Sequence, residues 1–347
     1  MKRVIVNIEV ILMSNRYLII DSRPYGLFSI FLHTIDCFKF ADDNNYIPIV
    51  RWGNGRIDPN MYRAFSRYTR KDTNTIESEN FVNNENIFNN TRPCLYLNKD
   101  GDNVWEYYFE PVCQTSSEQA LCSEHKISDI FLSGKDDSDL ENKFLIKNMQ
   151  TYEALKLWDI IGTQKENEHR KSVNDVINKY VRIKKSILKY AEEFYINRVK
   201  DHNIDIVIGV HVRGTDKKTE YPFKQLTLDD YIVAVQDIVN SHKDTKIKIY
   251  VASDNNEAIL KFISIFGSDR ISAYPSLRLN DYTGSVPICL LADIDRREHG
   301  EQTLLEMLIL SRSDYIIGTD SNLTATASYF NPQAKLIFLN RINGVST

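Results

Sequence analysis

Cysteine is scarce in this chain: five in 347 residues (Cys37, Cys94, Cys113, Cys122 and Cys289), an odd number, scattered and without a Cys-x-x-Cys pair. That excludes a dense disulfide framework or a thiolate zinc site and fits a reducing compartment. Charge of one sign is missing as well, since 43 Lys and Arg stand against 47 Asp and Glu, a net −4. A protein that holds nucleic acid by neutralising phosphates needs a basic surplus, so no nucleic-acid partner is expected. No apolar run approaches the roughly 20 residues of a membrane span. Met1-Lys2-Arg3 precedes an apolar stretch, but Asn7 and Glu9 interrupt it and no small-residue cleavage site follows. An opening strand is expected there rather than a leader. The chain is expected in the cytoplasm, with a peripheral place at the inner face of the membrane left open. Walker A, Gly-x-Gly-x-x-Gly, His-Glu-x-x-His and Gly-x-Ser-x-Gly patterns are also absent, which removes the usual support for kinase, dehydrogenase, zincin and serine-hydrolase readings. What remains, 42% hydrophobic and 26% charged, is the composition of a globular protein long enough for about two domains.

The first half is irregular. A short apolar strand is expected over 17–21, a tight loop at Ser22-Arg-Pro-Tyr-Gly26, a helix over 27–42 and a strand over 47–52, the opening of an α/β layer. The Asn-rich stretch 72–91 lacks periodicity and reads as an exposed insertion. Four aromatics crowd 103–111, a pattern of core or edge strand more often than of a sugar platform. One long amphipathic helix is expected over 171–200, with the domain boundary just before it, dividing the chain into 1–165 and 166–347.

The second half alternates apolar strands with helices: strands over 204–212, 247–252, 314–318 and 335–339, and helices over 228–242, 256–266, 301–313 and 322–330. Thr227 with Asp230 resembles a capping box, and Asp254 and Ser321 are read as caps of the helices that follow them. This alternation predicts a parallel sheet covered on both faces, with ligands beyond the carboxyl ends of its strands. Three polar clusters then share one rim: His211, Arg213, Thr215 and Asp216; Ser253 and Asp254; and Thr319, Asp320, Ser321 and Asn322. Arg213 offers a permanently charged planar fork suited to phosphate, although an Arg213–Asp216 ion pair closing the strand is the plainer alternative. Thr319-Asp-Ser-Asn-Leu-Thr324 supplies hydroxyls and backbone N–H groups at a helix N-terminus. Glu306, inside a leucine-rich helix, either accepts hydrogen bonds from a guanine edge or faces solvent. Asp293-Ile-Asp295 matches a pattern that holds cations in sugar-nucleotide enzymes, but Arg296-Arg297 follow it, and no metal is expected there.

Ile208-Gly-Val-His-Val-Arg-Gly-Thr-Asp-Lys217, continued by Leu228-Asp-Asp-Tyr231, Tyr250-Val-Ala-Ser-Asp254 and Leu310-Ser-Arg-Ser-Asp-Tyr-Ile-Ile-Gly-Thr-Asp-Ser-Asn322, resembles the donor-site segments of the α-1,6-fucosyltransferase superfamily. The likeness covers 204–330 and thins to an outline before it. It implies a GT-B-like α/β fold of two facing Rossmann-like domains, with 1–165 on the acceptor side and 166–347 holding a GDP-fucose donor. It implies inverting, metal-independent transfer to a glycan acceptor, a lipid-linked one among the candidates, with no cofactor, in polysaccharide or glycan biosynthesis. By position, Arg213 would grip the β-phosphate and His211 the nucleotide. Glu306 would read guanine, and Ser321 and Asn322 would serve the phosphate side. Lys217 and Glu220 resemble the acceptor-activating Lys and Glu, with Asp216 the second choice of base. Arg23, Tyr25, Gly26 and His33 are the acceptor-side candidates. The chain departs from the family in having Gly214 for a second arginine, a Lys217-to-Glu220 spacing one residue shorter, and Glu306 for an Asp. A different donor sugar, or a non-catalytic glycan- or nucleotide-binding module, stays open.

Overall fold

The computed structural model describes residues 16–22, 25–53, 94–99, 101–123, 126–128, 157–201, 203–213, 226–280, 288–290, 294–342 and 345–346. The opening stretch before Arg16 and the Asn-rich stretch 72–91 lie outside these residues.

In the first half, strand β1 (Tyr17–Asp21) is central in a parallel sheet between β2 (Ile47–Arg51) and β3 (Lys126–Ser128). Helix α1 (Leu27–Asn44) joins β1 to β2. Its first three turns are buried nearly all round, as in an interior helix, while its last turn is polar. The Tyr96 hydroxyl accepts a hydrogen bond from Leu27 N (3.0 Å) at its start, and Asn45 ends it in the left-handed conformation. At the carboxyl ends of the strands Arg51 donates both arms of its fork to Asp21, at 2.8 and 2.9 Å.

The aromatic run expected as core or edge strand is core, but a single helical turn, α2 (Trp105–Tyr108), followed by an isolated bridge at Phe109. Trp105 and Phe109 pack with centroids 4.2 Å apart and planes tilted by 30°, and Trp52 meets Trp105 edge-on at 5.1 Å. Such contacts add about 0.5–1.5 kcal/mol each beyond the area buried. Helices α3 (Ser117–Leu121) and α4 (Leu157–Ile160) are short. The single helix expected over 171–200 is two, α5 (Glu166–Tyr180) and α6 (Lys185–Phe194), the second running into a π-turn over Tyr195–Val199. The break has a tertiary cause. Glu110 N donates to Arg182 O (2.7 Å) and Lys184 N to Tyr108 O (3.0 Å), so residues 182–184 pair with the aromatic turn instead of continuing a helix.

The second half holds five parallel strands among the described residues, in the order β6-β5-β4-β7-β8. They are β4 (Ile206–Val212), β5 (Ile247–Ser253), β6 (Ile271–Ser272), β7 (Tyr315–Gly318) and β8 (Lys335–Phe338). Between them run α7 (Leu228–Ser241), α8 (Asn256–Phe266), α9 (Arg296–Leu310) and α10 (Asn322–Phe330). Side chains alternate between faces: Ile208, Val210, Val212, Ile249 and Val251 pack with α7 and α8, while Val207, Tyr250 and Ala252 join the larger core. That larger core is continuous through α1, α5, α6, α9 and α10, so the two sheets share one apolar interior.

Two sets of hydrogen bonds fasten parts of the chain that are distant in sequence. Arg170 on α5 is 1% exposed and donates to the carbonyls of Ser328, Asn331 and Ala334 and to Glu166 Oε1, closing the carboxyl end of α10. Asn98 Oδ1 accepts from Arg296 N (3.1 Å) and Arg297 N (3.2 Å), capping α9 from the first half of the chain. Gly300 on α9 is obligatory for this contact, because a methyl there would lie 2.0 Å from the Tyr108 hydroxyl.

Candidate functional site

The sheet order makes β4 and β7 neighbours where the winding reverses, which in open α/β sheets is where ligands bind beyond the strand ends. His211 is the penultimate residue of β4, and its alternation turns it toward α10. It is 7% exposed, and its Nδ1 lies 2.8 Å from Thr324 Oγ1 on the first turn of that helix. Arg213 follows the strand directly and is half-buried.

Across the crevice, β7 ends at Gly318, and Thr319, Asp320 and Ser321 carry the chain into α10. All three are buried. Ser321 stands at the N-cap with extended backbone, as expected, yet its hydroxyl makes no capping hydrogen bond. The N–H groups of Asn322, Leu323 and Thr324 have no acceptors within the helix, so the end of α10 presents donors to the crevice. Asn322 Oδ1 is buried there without a hydrogen-bond partner among the described residues. Asp320 is engaged in the turn itself. Its carboxylate accepts from Asn340 Nδ2 (2.7 Å), and its N–H donates to Asn340 Oδ1 (3.1 Å). The Tyr231 hydroxyl on α7 lies beside Thr319, and burial, with the carboxylates of Asp254, Asp230 and Asp320 nearby, pushes its pKa well above the ordinary phenol value.

The β5 side of the rim differs in chemistry. Ser253 Oγ accepts from Asn255 N (3.2 Å), and it is Asn255, not Asp254, that caps α8, through Glu257 N at 2.7 Å. Asp254 instead uses its carbonyl to receive Leu279 N (2.9 Å), which lays the segment 273–279 over the strand end. From that segment Ser276 Oγ (2.6 Å) and Arg278 Nη2 (2.8 Å) both donate to Glu306 Oε1. The alternative that Glu306 faces solvent is thereby overturned, since it is 8% exposed inside α9. Burial pushes its pKa up to about 7, against the pull of Arg278 and Ser276, and the Asp254 carboxylate adds to the rise.

The structure thus brings His211, Thr319, Asp320, Ser321 and Asn322 to the β4–β7 crevice and Ser253, Asp254 and Glu306 to the β5 side of the same rim. Thr215, Asp216, Lys217, Glu220 and Arg23 lie outside the described residues. Tyr25 and Gly26 precede α1 at the carboxyl end of β1. His33 is apart from them, 2% exposed in α1 with Nε2 against Cys37 Sγ at 3.4 Å. Asp295 caps α9, accepting from Glu298 N (2.8 Å) and Asn98 Nδ2 (2.9 Å), and these bonds hold its carboxyl below the usual range. Asp293 lies outside the described residues, and among those described no group of three or more His, Cys, Asp or Glu could hold a metal ion. Sequence reasoning missed Arg278, Ser276 and Asn340, and met Tyr231 only as part of a matched segment. Of these, Arg278 had a signal: a carboxylate among leucines requires a cation or a hydrogen-bonding ligand.

No protein-family model matches the chain, and no curated protein matches it. Solved structures do. NodZ α-1,6-fucosyltransferase co-crystallised with GDP is similar over 90% of this chain and 91% of its own, at 13% identity and a TM-score of 0.52. The same enzyme soaked with GDP-fucose aligns over 91% and 92%, at 13% identity and 0.52. Fucosyltransferase NodZ from Bradyrhizobium aligns over 90% and 92%, at 14% identity and 0.51. At such identity the likeness is one of fold: the chain has the α/β architecture of the GT-B fucosyltransferases, as the resemblance of its segments led one to expect.

Proposed function

We propose that this protein is a glycosyltransferase that moves L-fucose from GDP-fucose to a glycan acceptor, with inversion at the anomeric carbon and without a metal ion. The observation that carries the reading is the β4–β7 crevice. There a strand running into Arg213 faces the uncapped N-terminus of α10, and a buried carboxylate, Glu306, stands farther along the same rim. Support at the level of fold comes from NodZ, crystals of which were grown with GDP or soaked with GDP-fucose.

The chemistry follows from charge. As the bond between the anomeric carbon and the β-phosphate oxygen breaks, negative charge grows on the leaving diphosphate and positive character on the sugar. Fixed donors aimed at the diphosphate stabilise that state more than the ground state. Arg213 and the N–H groups of Asn322, Leu323 and Thr324 serve this role, with Ser321 and His211 beside them. The acceptor hydroxyl attacks from the opposite face and gives its proton to a carboxylate, Glu220 in the first instance and Asp216 otherwise, with Lys217 assisting. Tyr25, Gly26 and Arg23 are the acceptor-side candidates in the first half; His33, 2% exposed within α1, does not present its ring to an acceptor. The reaction belongs to surface-polysaccharide or glycan assembly, on the cytoplasmic side of the membrane, with a lipid-linked acceptor among the candidates.

The test combines thermal shift with donor hydrolysis. GDP raises the melting temperature and UDP does not, because only guanine offers two N–H donors to a carboxylate. Arg213→Ala lowers kcat/KM on the order of 10²–10³-fold while the protein stays folded. Activity destroyed by chelators, or unchanged in Arg213→Ala, overturns the mechanism. GDP binding without turnover over a broad acceptor panel makes the chain a nucleotide-binding module instead.

A further inference from the structure

We infer that Arg278 is a positioning residue for nucleobase recognition: it fixes Glu306 through one oxygen and so leaves the other aimed at the base. The inference rests on the reading of Glu306 as the group that recognises guanine and adds the device that makes it able to do so.

The geometry is one-sided. Arg278 Nη2 and Ser276 Oγ converge on Oε1, and among the described residues Oε2 receives no hydrogen bond. Arg278 is itself held, its Nη1 donating to Ser276 O (3.1 Å) and its Nη2 to the carbonyl of Tyr274. The side chains of Arg278 and Glu306 are 8% and 10% exposed, so solvent does little to screen the pair. Behind them stands an aromatic wall. Tyr274 meets Phe194 with centroids 5.1 Å apart, and Phe194 meets Tyr250 at 6.4 Å.

A carboxylate in this setting has two competing fates. Desolvation favours the neutral acid, which presents an O–H where guanine needs an acceptor. Arg278 opposes that. The other groups facing Glu306 do not help: Asp254 at the end of β5 is a like charge, while Tyr250 on β5 and Tyr274 on the 273–279 segment are phenols held neutral by burial, with Glu301 and Glu298 of α9 acting on Tyr274. Removing Arg278 therefore costs the site an ionised acceptor and its orientation together. The same argument makes base selection dependent on pH, because the acceptor is lost as Glu306 takes up a proton.

The experiment is calorimetric titration of GDP and of inosine diphosphate, which lacks the 2-amino group, between pH 5.5 and 9. It uses the wild type, Arg278→Met, Arg278→Lys and Glu306→Gln, each checked for cooperative melting. In the wild type GDP binding weakens as pH falls below about 7. In Arg278→Met the midpoint of that profile moves up by a pH unit or more. Affinity at pH 7 then drops about tenfold, recovers only in part at pH 9, where the charge returns without the orientation, and no longer favours GDP over inosine diphosphate at neutral pH. Arg278→Lys falls between, and its midpoint carries the test should the methionine variant not fold. A merely structural role would lower affinity equally at every pH, and that result overturns the inference. So does a wild-type profile in Arg278→Met alongside loss of GDP in Glu306→Gln, which leaves the functional reading intact. GDP binding unchanged in Glu306→Gln, or absent in the wild type, overturns the functional reading itself.

Discussion

Gly318→Ala tests the packing of β7 against the first turn of α10. Gly318 is the last residue of β7, and a methyl there would fall 2.5 Å from Thr324 Oγ1, 2.8 Å from its Cγ2 and 3.3 Å from its Cβ. Thr324 is fully buried and holds His211 Nδ1 at 2.8 Å, so it has no room to turn aside without breaking that bond. Overpacking of this kind costs roughly 1–3 kcal/mol. Leaving the imidazole nitrogen unsatisfied costs about 1–3 kcal/mol more. Thr324→Ala alone pays only the second of these. It also removes the two closest clashes, leaving a 3.3 Å contact that small shifts relieve. The double variant Gly318→Ala/Thr324→Ala should accordingly be little less stable than Thr324→Ala. The coupling energy from the cycle, read from urea unfolding at constant m, should exceed about 1 kcal/mol. GDP affinity should fall in Gly318→Ala at temperatures where it is still folded, because the displaced first turn of α10 carries the N–H groups proposed above to face the diphosphate. A single variant within about 0.5 kcal/mol of wild type, or two costs that simply add, refutes the packing argument.

Glu306 links stability to pH with a definite sign. Its folded pKa, about 7, lies above the ordinary 4.5, so the folded state binds the extra proton between those values and stability falls as pH rises through that window. Glu306→Gln should flatten the melting-temperature profile over that range relative to wild type, and a difference of opposite slope refutes the assignment. Arg170→Met should destabilise the fold by about 3–5 kcal/mol in urea, since it abandons Glu166 and the carbonyls that close α10. Arg170→Lys should recover only part of that, because an ammonium cannot replace a fork serving three carbonyls.

The second half was legible because parallel strands covered on both faces read as near-continuous apolar runs, and 206–212 and 247–253 are such runs but for His211, Lys248 and the terminal Ser253. What escaped notice was decided by contacts distant in sequence. Strands β3 and β6, three and two residues long, carry no run to detect and exist only as additions to longer neighbours. Helix α9 begins at Arg296 rather than 301 because its polar first turn, Arg-Arg-Glu-His-Gly, is capped by Asn98 and pressed on Tyr108. The break at 181–184 interrupts a good helical period for the sake of pairing with residues 108–110. Asp254 and Asn255 are equally plausible caps by residue type. Pairing of Asp254 with Leu279 decides between them.

The same division runs through the site. His211, Arg213 and the stretch 319–322 could be found because polar residues closing buried strands are conspicuous, and topology then gathers them. Their partners could not, since Asn340 and Arg278 sit 20 and 28 positions from the carboxylates they hold, in segments without period or motif. The need for such partners was nonetheless written in the chain. Leu304-Leu-Glu-Met-Leu-Ile-Leu310 buries every residue it contains, and an ionised carboxylate there must find a cation or become neutral. Arg278 meets that need on one oxygen only. A purely structural ion pair would gain by satisfying both, so the oxygen left over among the described residues is the one that the proposed recognition of a base calls for.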